Sequence, residues 1–292
     1  MEYKVLNNGV QMPVLGFGVF QTPPADTERC VAEALAAGYR LIDTAQAYGN
    51  EEGVGAAVAK SEVPRDEVFI TSKIWVSNMS YERAVASIDA SLAALGTDHI
   101  DLMLLHQMMG DYTGAYRAME EAYYAGKLRA IGVSNCYPER LVDLALLAEV
   151  PPAVNQVETH PFRQQRAAHK NMVSLGVAHE AWAPFAEAKG GIFKNPTLLA
   201  LAEKHGKTVG QVILRALIQS DVIVIPKTVR PERMAENIDV FDFVLDAEDM
   251  AAFATVEDPD FPPIFDHFDV STVKWMLGEL VRKQQLGGAP LY

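Results

Sequence analysis

The sequence predicts an α/β fold, a TIM (β/α)8 barrel formed by one domain over residues 1–292. Three observations lead there. Eight short runs rich in β-branched and apolar residues recur along the chain, and a helical stretch can be placed after each. About 250 residues hold all eight units, which suits a closed barrel better than an open doubly wound sheet. Polar residues gather at the C-terminal ends of the runs, while the interiors are almost wholly apolar. With 292 residues, 49% of them hydrophobic and 22% charged, the chain reads as globular and can bury a full core.

In chain order the expected strands are 14–18, 40–43, 68–73, 100–106, 128–134, 153–157, 177–183 and 222–225. Two helices illustrate the reading between them. Over 81–95, Ala84, Val85, Ile88, Leu92 and Leu95 share one face, and Gly96 supplies a stop. Over 138–147, Pro138 opens the first turn while Leu141, Leu144, Ala145 and Leu147 face inward. After the seventh strand, 196–219 reads as two helices broken near Gly206. An extra amphipathic helix is expected over 246–255, followed by a Pro-rich tail, about 258–292, that contributes a loop over the barrel. The dinucleotide-binding fingerprint is poor. Gly16-Phe17-Gly18 lacks a third glycine at Gln21, and Gly53-Val54-Gly55 falls inside a helical pattern.

Composition narrows the function classes. Lys and Arg total 25 against 38 Asp and Glu, a net charge of -13 that repels a phosphate backbone, so no nucleic acid partner is expected. No membrane association is expected either, because no secretory, lipidation or transmembrane pattern is found. Cys30 and Cys136 are too few for a disulfide framework, and a cytoplasmic protein is expected. His99, His160, His169, His179, His205 and His267 lack zinc-type spacing, so no metal site is expected. A monomer is the expected assembly.

The strand ends carry the chemistry. Reading them in order gives Asp43, Lys73, His106, Ser134-Asn135, Gln156, Trp182 and Lys227, all on the rim where barrel loops build sites. Singly, each has a bland reading: Asp43 as a helix cap, Lys73 as a solvated end, His106 as a core histidine, Tyr48 as a loop aromatic. Together they make a coherent set. A free tyrosine has a pKa of about 10 and is a weak acid or base at neutral pH. A buried ammonium such as Lys73 would favour the Tyr48 phenolate and bring it into a useful range. Asp43 would keep that lysine charged, and a neutral His106 could orient a carbonyl oxygen. Proton delivery to a carbonyl still lacks a hydride, which no side chain supplies, so a nicotinamide cofactor is implied.

At these residues the sequence resembles the aldo-keto reductase superfamily, over essentially the whole chain. The matching stretches are Met12-Pro-Val-Leu-Gly-Phe-Gly18, Ile42-Asp-Thr-Ala-Gln-Ala-Tyr-Gly-Asn-Glu51, Leu104-Leu-His106, Ile131-Gly-Val-Ser-Asn135 and Val224-Ile-Pro-Lys227. His106-Gln107 and Gly110-Asp-Tyr-Thr-Gly114 resemble the bacterial 2,5-diketo-D-gluconate reductase-like branch. The resemblance implies a catalytic tetrad of Asp43, Tyr48, Lys73 and His106, with Tyr48 as the acid/base. It implies that Ser134, Asn135 and Gln156 bind the nicotinamide carboxamide and that the nicotinamide ring stacks on Trp182, where relatives more often carry tyrosine. It assigns Lys227, Thr228, Val229, Arg233 and Asn237 to the adenosine 2'-phosphate and adenine. Three cations within Lys227–Arg233 favour NADPH/NADP+ over the form without that phosphate.

Phe20, Trp75 and Phe185 are the expected apolar walls of a substrate pocket. The implied activity is NADPH-dependent reduction of a small carbonyl compound, an aldehyde, ketone, α-dicarbonyl or keto-sugar, to its alcohol. The alternative is a nicotinamide-nucleotide-binding regulatory subunit without significant turnover. Gln107-Met108-Met109 departs from the His-Trp-Pro of animal members, and the tail from Pro259 matches no familiar substrate loop.

Overall fold

The computed structural model describes residues 1–286. Its chain starts with an antiparallel hairpin, β1 (Tyr3–Val5) and β2 (Gln11–Pro13), turned at Gly9 in the left-handed region that glycine tolerates. Eight parallel strands follow: β3 (Phe17–Gly18), β4 (Leu41–Asp43), β5 (Phe69–Ile74), β6 (Leu102–Leu105), β7 (Ile131–Ser134), β8 (Val154–Glu158), β9 (Ala178–Trp182) and β10 (Val222–Val224). Each pairs with the next in chain order. The last meets the first: Leu15 bridges Val224, the Gly16 amide donates to the Val224 carbonyl at 2.8 Å, and the Val224 amide donates to the Val14 carbonyl at 3.0 Å. The sheet is therefore a closed (β/α)8 barrel, as the sequence predicts.

Helices α1 (Pro24–Ala36), α2 (Glu51–Lys60), α3 (Tyr81–Leu95), α4 (Tyr112–Tyr124), α5 (Pro138–Leu147) and α6 (Arg166–Ser174) form the outer ring after β3 to β8. After β9 come α7 (Pro196–His205) and α8 (Val209–Gln219); after β10 come α9 (Pro231–Ile238), α10 (Ala247–Ala254) and α11 (Val270–Leu286). Local chemistry sets their ends. Ser80 caps α3 by accepting from the Arg83 amide, and Gly96 closes it at φ 61°. Gly206 closes α7 at φ 61°, and a Thr208–Gln211 capping box opens α8, which is the break expected near Gly206. A second capping box, Asp246–Asp249, starts α10.

Two apolar layers hold the barrel. Inside it, Leu41, Phe69, Leu102, Leu104, Val154 and Ile223 pack together, and Leu6 and Met12 of the hairpin join them. The larger layer lies between strands and helices and contains Ile42, Ile70, Met103, Val133 and Leu217. The Gly53-Val54-Gly55 pattern belongs to this packing. A Cβ on Gly55 would sit 2.3 Å from the Leu95 carbonyl oxygen, and one on Gly53 would sit 2.9 Å from Thr27 Cβ, so these glycines let α2 approach its neighbours.

The sequence reading omits the hairpin and α11. Each hairpin strand has only three residues, too few for a clear alternation. In the tail, Pro259, Pro262 and Pro263 suggest a loop, and a loop is found there, held to the rim by the Ile264 amide donating to Glu158 Oε1 at 3.0 Å. Asp269 then caps a new helix, accepting from the Thr272 amide at 2.8 Å. The rest of the tail, 287–292, lies outside the described residues. Among the described residues, no helix is long and apolar enough to cross a membrane.

Candidate active site

Strands β4, β5 and β6 bring three of the singled-out residues to one rim. Asp43 ends β4, Lys73 lies one residue before the end of β5, and His106 follows β6. Tyr48 reaches them from a 3-10 turn, Gln46–Tyr48, that ends at Gly49 with φ 63°. Gln46 fixes that turn. Its Nε2 donates to the Ser87 carbonyl and to Ser91 Oγ, both at 3.1 Å, while its Oε1 accepts from the Trp75 amide at 3.0 Å and Asn78 Nδ2 at 2.9 Å.

Lys73 is fully buried. Its Nζ donates to Asp43 Oδ1 at 2.6 Å, to the Thr44 carbonyl at 2.9 Å and to the Tyr48 hydroxyl at 3.3 Å. Three donors meet three acceptors, so the ammonium is satisfied without water. Burial alone would discharge this lysine, but Asp43 and Tyr48 more than offset that, and its pKa lies above the ordinary value. His106 goes the other way: burial, with Lys73 and His267 nearby, holds it well below the ordinary range, so the imidazole is neutral. The His106 ring stands edge-on to Tyr48 at 5.7 Å and to Trp75 at 4.9 Å, and its Nδ1 is buried without a partner among the described residues.

One electrostatic expectation needs correction. The sequence reading has Lys73 drawing the Tyr48 pKa down; its net position is above the ordinary value. Burial is the largest cause, Lys73 offsets it only in part, and Asp43 and Glu180 add to it. In this enclosed site Tyr48 is a neutral phenol.

The other strand ends form one network. Ser134 Oγ donates to the Gln156 carbonyl at 2.9 Å, and Asn135, at φ 54°, donates through Nδ2 to the His106 carbonyl at 3.1 Å. Trp182 Nε1 donates to Asn135 Oδ1 at 2.9 Å, which fixes the half-buried indole at the rim. The Gln156 side chain is committed deeper: its Nε2 donates to Asp43 Oδ2 at 2.8 Å and to Glu180 Oε2 at 2.9 Å. That amide nitrogen therefore supports the tetrad from below, a role the sequence reading does not include.

Past β10 the chain lays out Lys227, Thr228 and Val229, then enters α9 with Arg233 exposed and Asn237 buried. Thr228 Oγ1 accepts from the Arg230 amide at 3.2 Å, and Lys227 Nζ donates to the Gln21 carbonyl at 3.3 Å. Neither Lys227 nor Arg233 forms an ion pair among the described residues.

Of the expected apolar walls, Phe20 lies 5.0 Å from the Tyr48 ring and Trp75 lies against His106. The Phe185 ring packs on Phe193 at 5.6 Å and lies near Gly210 of α8. A cavity of about 320 Å³ is lined in part by Gln107, Met109, Asn135, Tyr137 and His267; it reaches the residue after His106, and the tetrad itself does not line it. A larger one, about 610 Å³, lies by the hairpin and the strand N-termini and touches none of the tetrad.

Three residues at the site escape the sequence reading: Gln46, Glu180 and His267. A charged residue inside the seventh strand is the signal that marks Glu180. His267 hangs from the tail, with Tyr137 Oη at 3.2 Å from its Nδ1, and burial lowers it to about 4. The tail has no periodicity that could place it.

Comparison with known proteins gives a consistent answer. An aldo-keto reductase of Mycobacterium sp. (strain JLS) is 45% identical over 256 residues, covering 87% of this chain and 92% of that protein. A glyoxal reductase of Bacillus subtilis (strain 168) is 44% identical over 247 residues, 84% of this chain and 89% of that one. Among solved structures, a Gox0644 mutant in complex with NADPH superposes with a TM-score of 0.87 at 36% identity, covering 92% of this chain and 98% of that one. A putative 2,5-diketo-D-gluconic acid reductase B, the branch that the sequence resembles, gives 0.87 at 40% identity, with 91% and 95% covered. The aldo/keto reductase family pattern matches residues 14–258, from the first barrel strand to the start of the tail, and the chain belongs to that family.

Proposed function

We propose that this protein reduces a small aldehyde, ketone, α-dicarbonyl or keto-sugar to the alcohol with NADPH, Tyr48 acting as general acid. The observation that carries this reading is the fully buried Lys73, bonded at once to Asp43 and to the Tyr48 hydroxyl, beside a neutral His106.

The residues present fit the cofactor. Trp182 is held at the rim by its indole N–H, with Ser134 and Asn135 beside it. Among the described residues Arg233 and Lys227 form no ion pairs where α9 begins, and the amides of a helix start also favour an anion. Trp182, Ser134 and Asn135 would hold the nicotinamide, with the Gln156 carbonyl side as a further contact. Lys227, Thr228, Val229, Arg233 and Asn237 would hold the adenosine 2'-phosphate end. When bound, the reduced nicotinamide supplies a hydride to the carbonyl carbon.

This chain's own groups handle the proton. Tyr48, a phenol in the enclosed site, donates its hydroxyl proton to the carbonyl oxygen as negative charge develops there. Lys73, held charged by Asp43, stabilises the resulting phenolate at close range. Neutral His106 donates an N–H to the same oxygen and aims it. Phe20 beside the Tyr48 ring and Trp75 against His106 give that oxygen apolar surroundings, which strengthens each of these interactions.

A panel of carbonyl compounds, followed by loss of NADPH absorbance, tests the reading. Carbonyl-dependent oxidation of NADPH is expected. NADPH binding with no turnover on any carbonyl would instead support the regulatory-subunit alternative.

A further inference from the structure

Beneath the tetrad lies a fifth ionisable side chain. Glu180 sits in the middle of β9 with no exposed surface. Its Oε2 accepts from Gln156 Nε2 at 2.9 Å, and the same nitrogen donates to Asp43 Oδ2 at 2.8 Å. Its Oε1 is buried without a hydrogen-bond partner among the described residues. A buried charge without compensation is expensive, whereas the neutral acid is far less so.

The local charge balance points the same way. One ammonium, Lys73, serves this cluster, and its bonds go to Asp43, Thr44 and Tyr48, with none to Glu180. The register neighbours of Glu180 are Gln156 on β8 and Ile223 on β10, neither charged. On β9 itself, His179 bonds Thr159 and His169 rather than Glu180. Glu51 of α2 faces Lys73 from another side and accepts from Ser72 Oγ. Asp43 and Lys73 are thus the charged groups that act on Glu180, and burial followed by Asp43 pushes its pKa up to about 8.

We propose that Glu180, joined to Asp43 through the Gln156 amide, is a positioning residue that is neutral at neutral pH and whose ionisation in alkali holds the proton on Tyr48, restraining alcohol oxidation. The inference rests on the function proposed above. Ionised Glu180 places a second negative charge by the tetrad and opposes phenolate formation at Tyr48. Alcohol oxidation needs that phenolate as base, whereas carbonyl reduction needs the phenol.

The test compares wild type with the near-isosteric Glu180→Gln, each as holoenzyme. The pH dependence of kcat/KM would be followed in both directions, using the best carbonyl of the panel and its alcohol. In the variant the alkaline rise of oxidation and the alkaline fall of reduction should move together to lower pH, by roughly one unit. KM for the cofactor should stay where it is, which a general loss of structure would not allow. Coincident pH profiles would overturn the proposal.

Infrared difference spectra provide a readout independent of turnover. A protonated carboxyl C=O band should be present at neutral pH, fade in alkali and be missing from Glu180→Gln; its absence from neutral wild type would also overturn the proposal. Failure of every carbonyl to react would reject the proposed function, while the band still reports on Glu180.

Discussion

Lys73 directs its three N–H groups at Asp43, Thr44 and Tyr48 with no water-exposed surface. An ion pair this deep gains much of its value from being complete, since removing one partner strands the other charge. Lys73→Met should therefore destabilise the protein by about 3–5 kcal/mol in denaturant unfolding. Adding Asp43→Asn should recover a large part of that loss, because the stranded carboxylate is then gone. A double variant no more stable than the lysine variant would contradict this picture.

The tetrad residues were legible in the sequence because barrel strands must end in loops on one rim, so Asp43, Lys73 and His106 point to one place. The direction of the Tyr48 pKa was not legible. It depends on how completely Phe20, His106 and the surrounding chain enclose the phenol, and enclosure is a tertiary property. The support that Gln156 gives the tetrad is hidden for the same reason: its partners are Asp43, 113 residues away, and Glu180 on the next strand, and only the closed sheet brings them together.

At the scale of elements, the segment after β10 makes the sharpest commitment. Lys227 and Arg233 have no carboxylate partners among the described residues, although the chain as a whole carries a net charge of -13. If they hold a 2'-phosphate, Arg233→Ala should weaken NADPH binding by roughly 1.5–3 kcal/mol, the range for hydrogen bonds to charged groups. NADH binding should barely change. Equal weakening of both, measured as Kd, would favour an arginine that is merely solvated on α9.

Elements with strong local signals were also the ones the sequence specified best. Helices α3 and α5 have their expected bounds because Ser80, Gly96 and Pro138 mark the ends locally. The hairpin has no local signature because its stability comes from Leu6 and Met12 packing into the barrel interior, which no three-residue window reveals. Helix α11 starts at a cap on Asp269, but it follows a Pro-rich stretch whose local signal is that of a loop.

For the whole molecule, the barrel solves a problem of convergence. Short apolar strands stack their side chains into a dry interior, and the polar residues that cannot join it are left together at one end. Glu180 is the exception, a carboxyl inside a strand, and a period-two pattern cannot say which of His179 and Glu180 faces inward. The tail then covers the rim, pinned where the Ile264 amide meets Glu158, and carries His267 to the cavity that Gln107 and Asn135 also line.

The central claim is that this convergence exists to deliver one proton from Tyr48. Tyr48→Phe keeps the ring and its contacts with Phe20 and His106 while removing only the hydroxyl. With chemistry rate-limiting, kcat for carbonyl reduction should fall about 10²–10⁴-fold, with Kd for NADPH nearly unchanged. A variant that kept more than about a tenth of the wild-type kcat would contradict the account, since such a loss is far smaller than general acid catalysis provides.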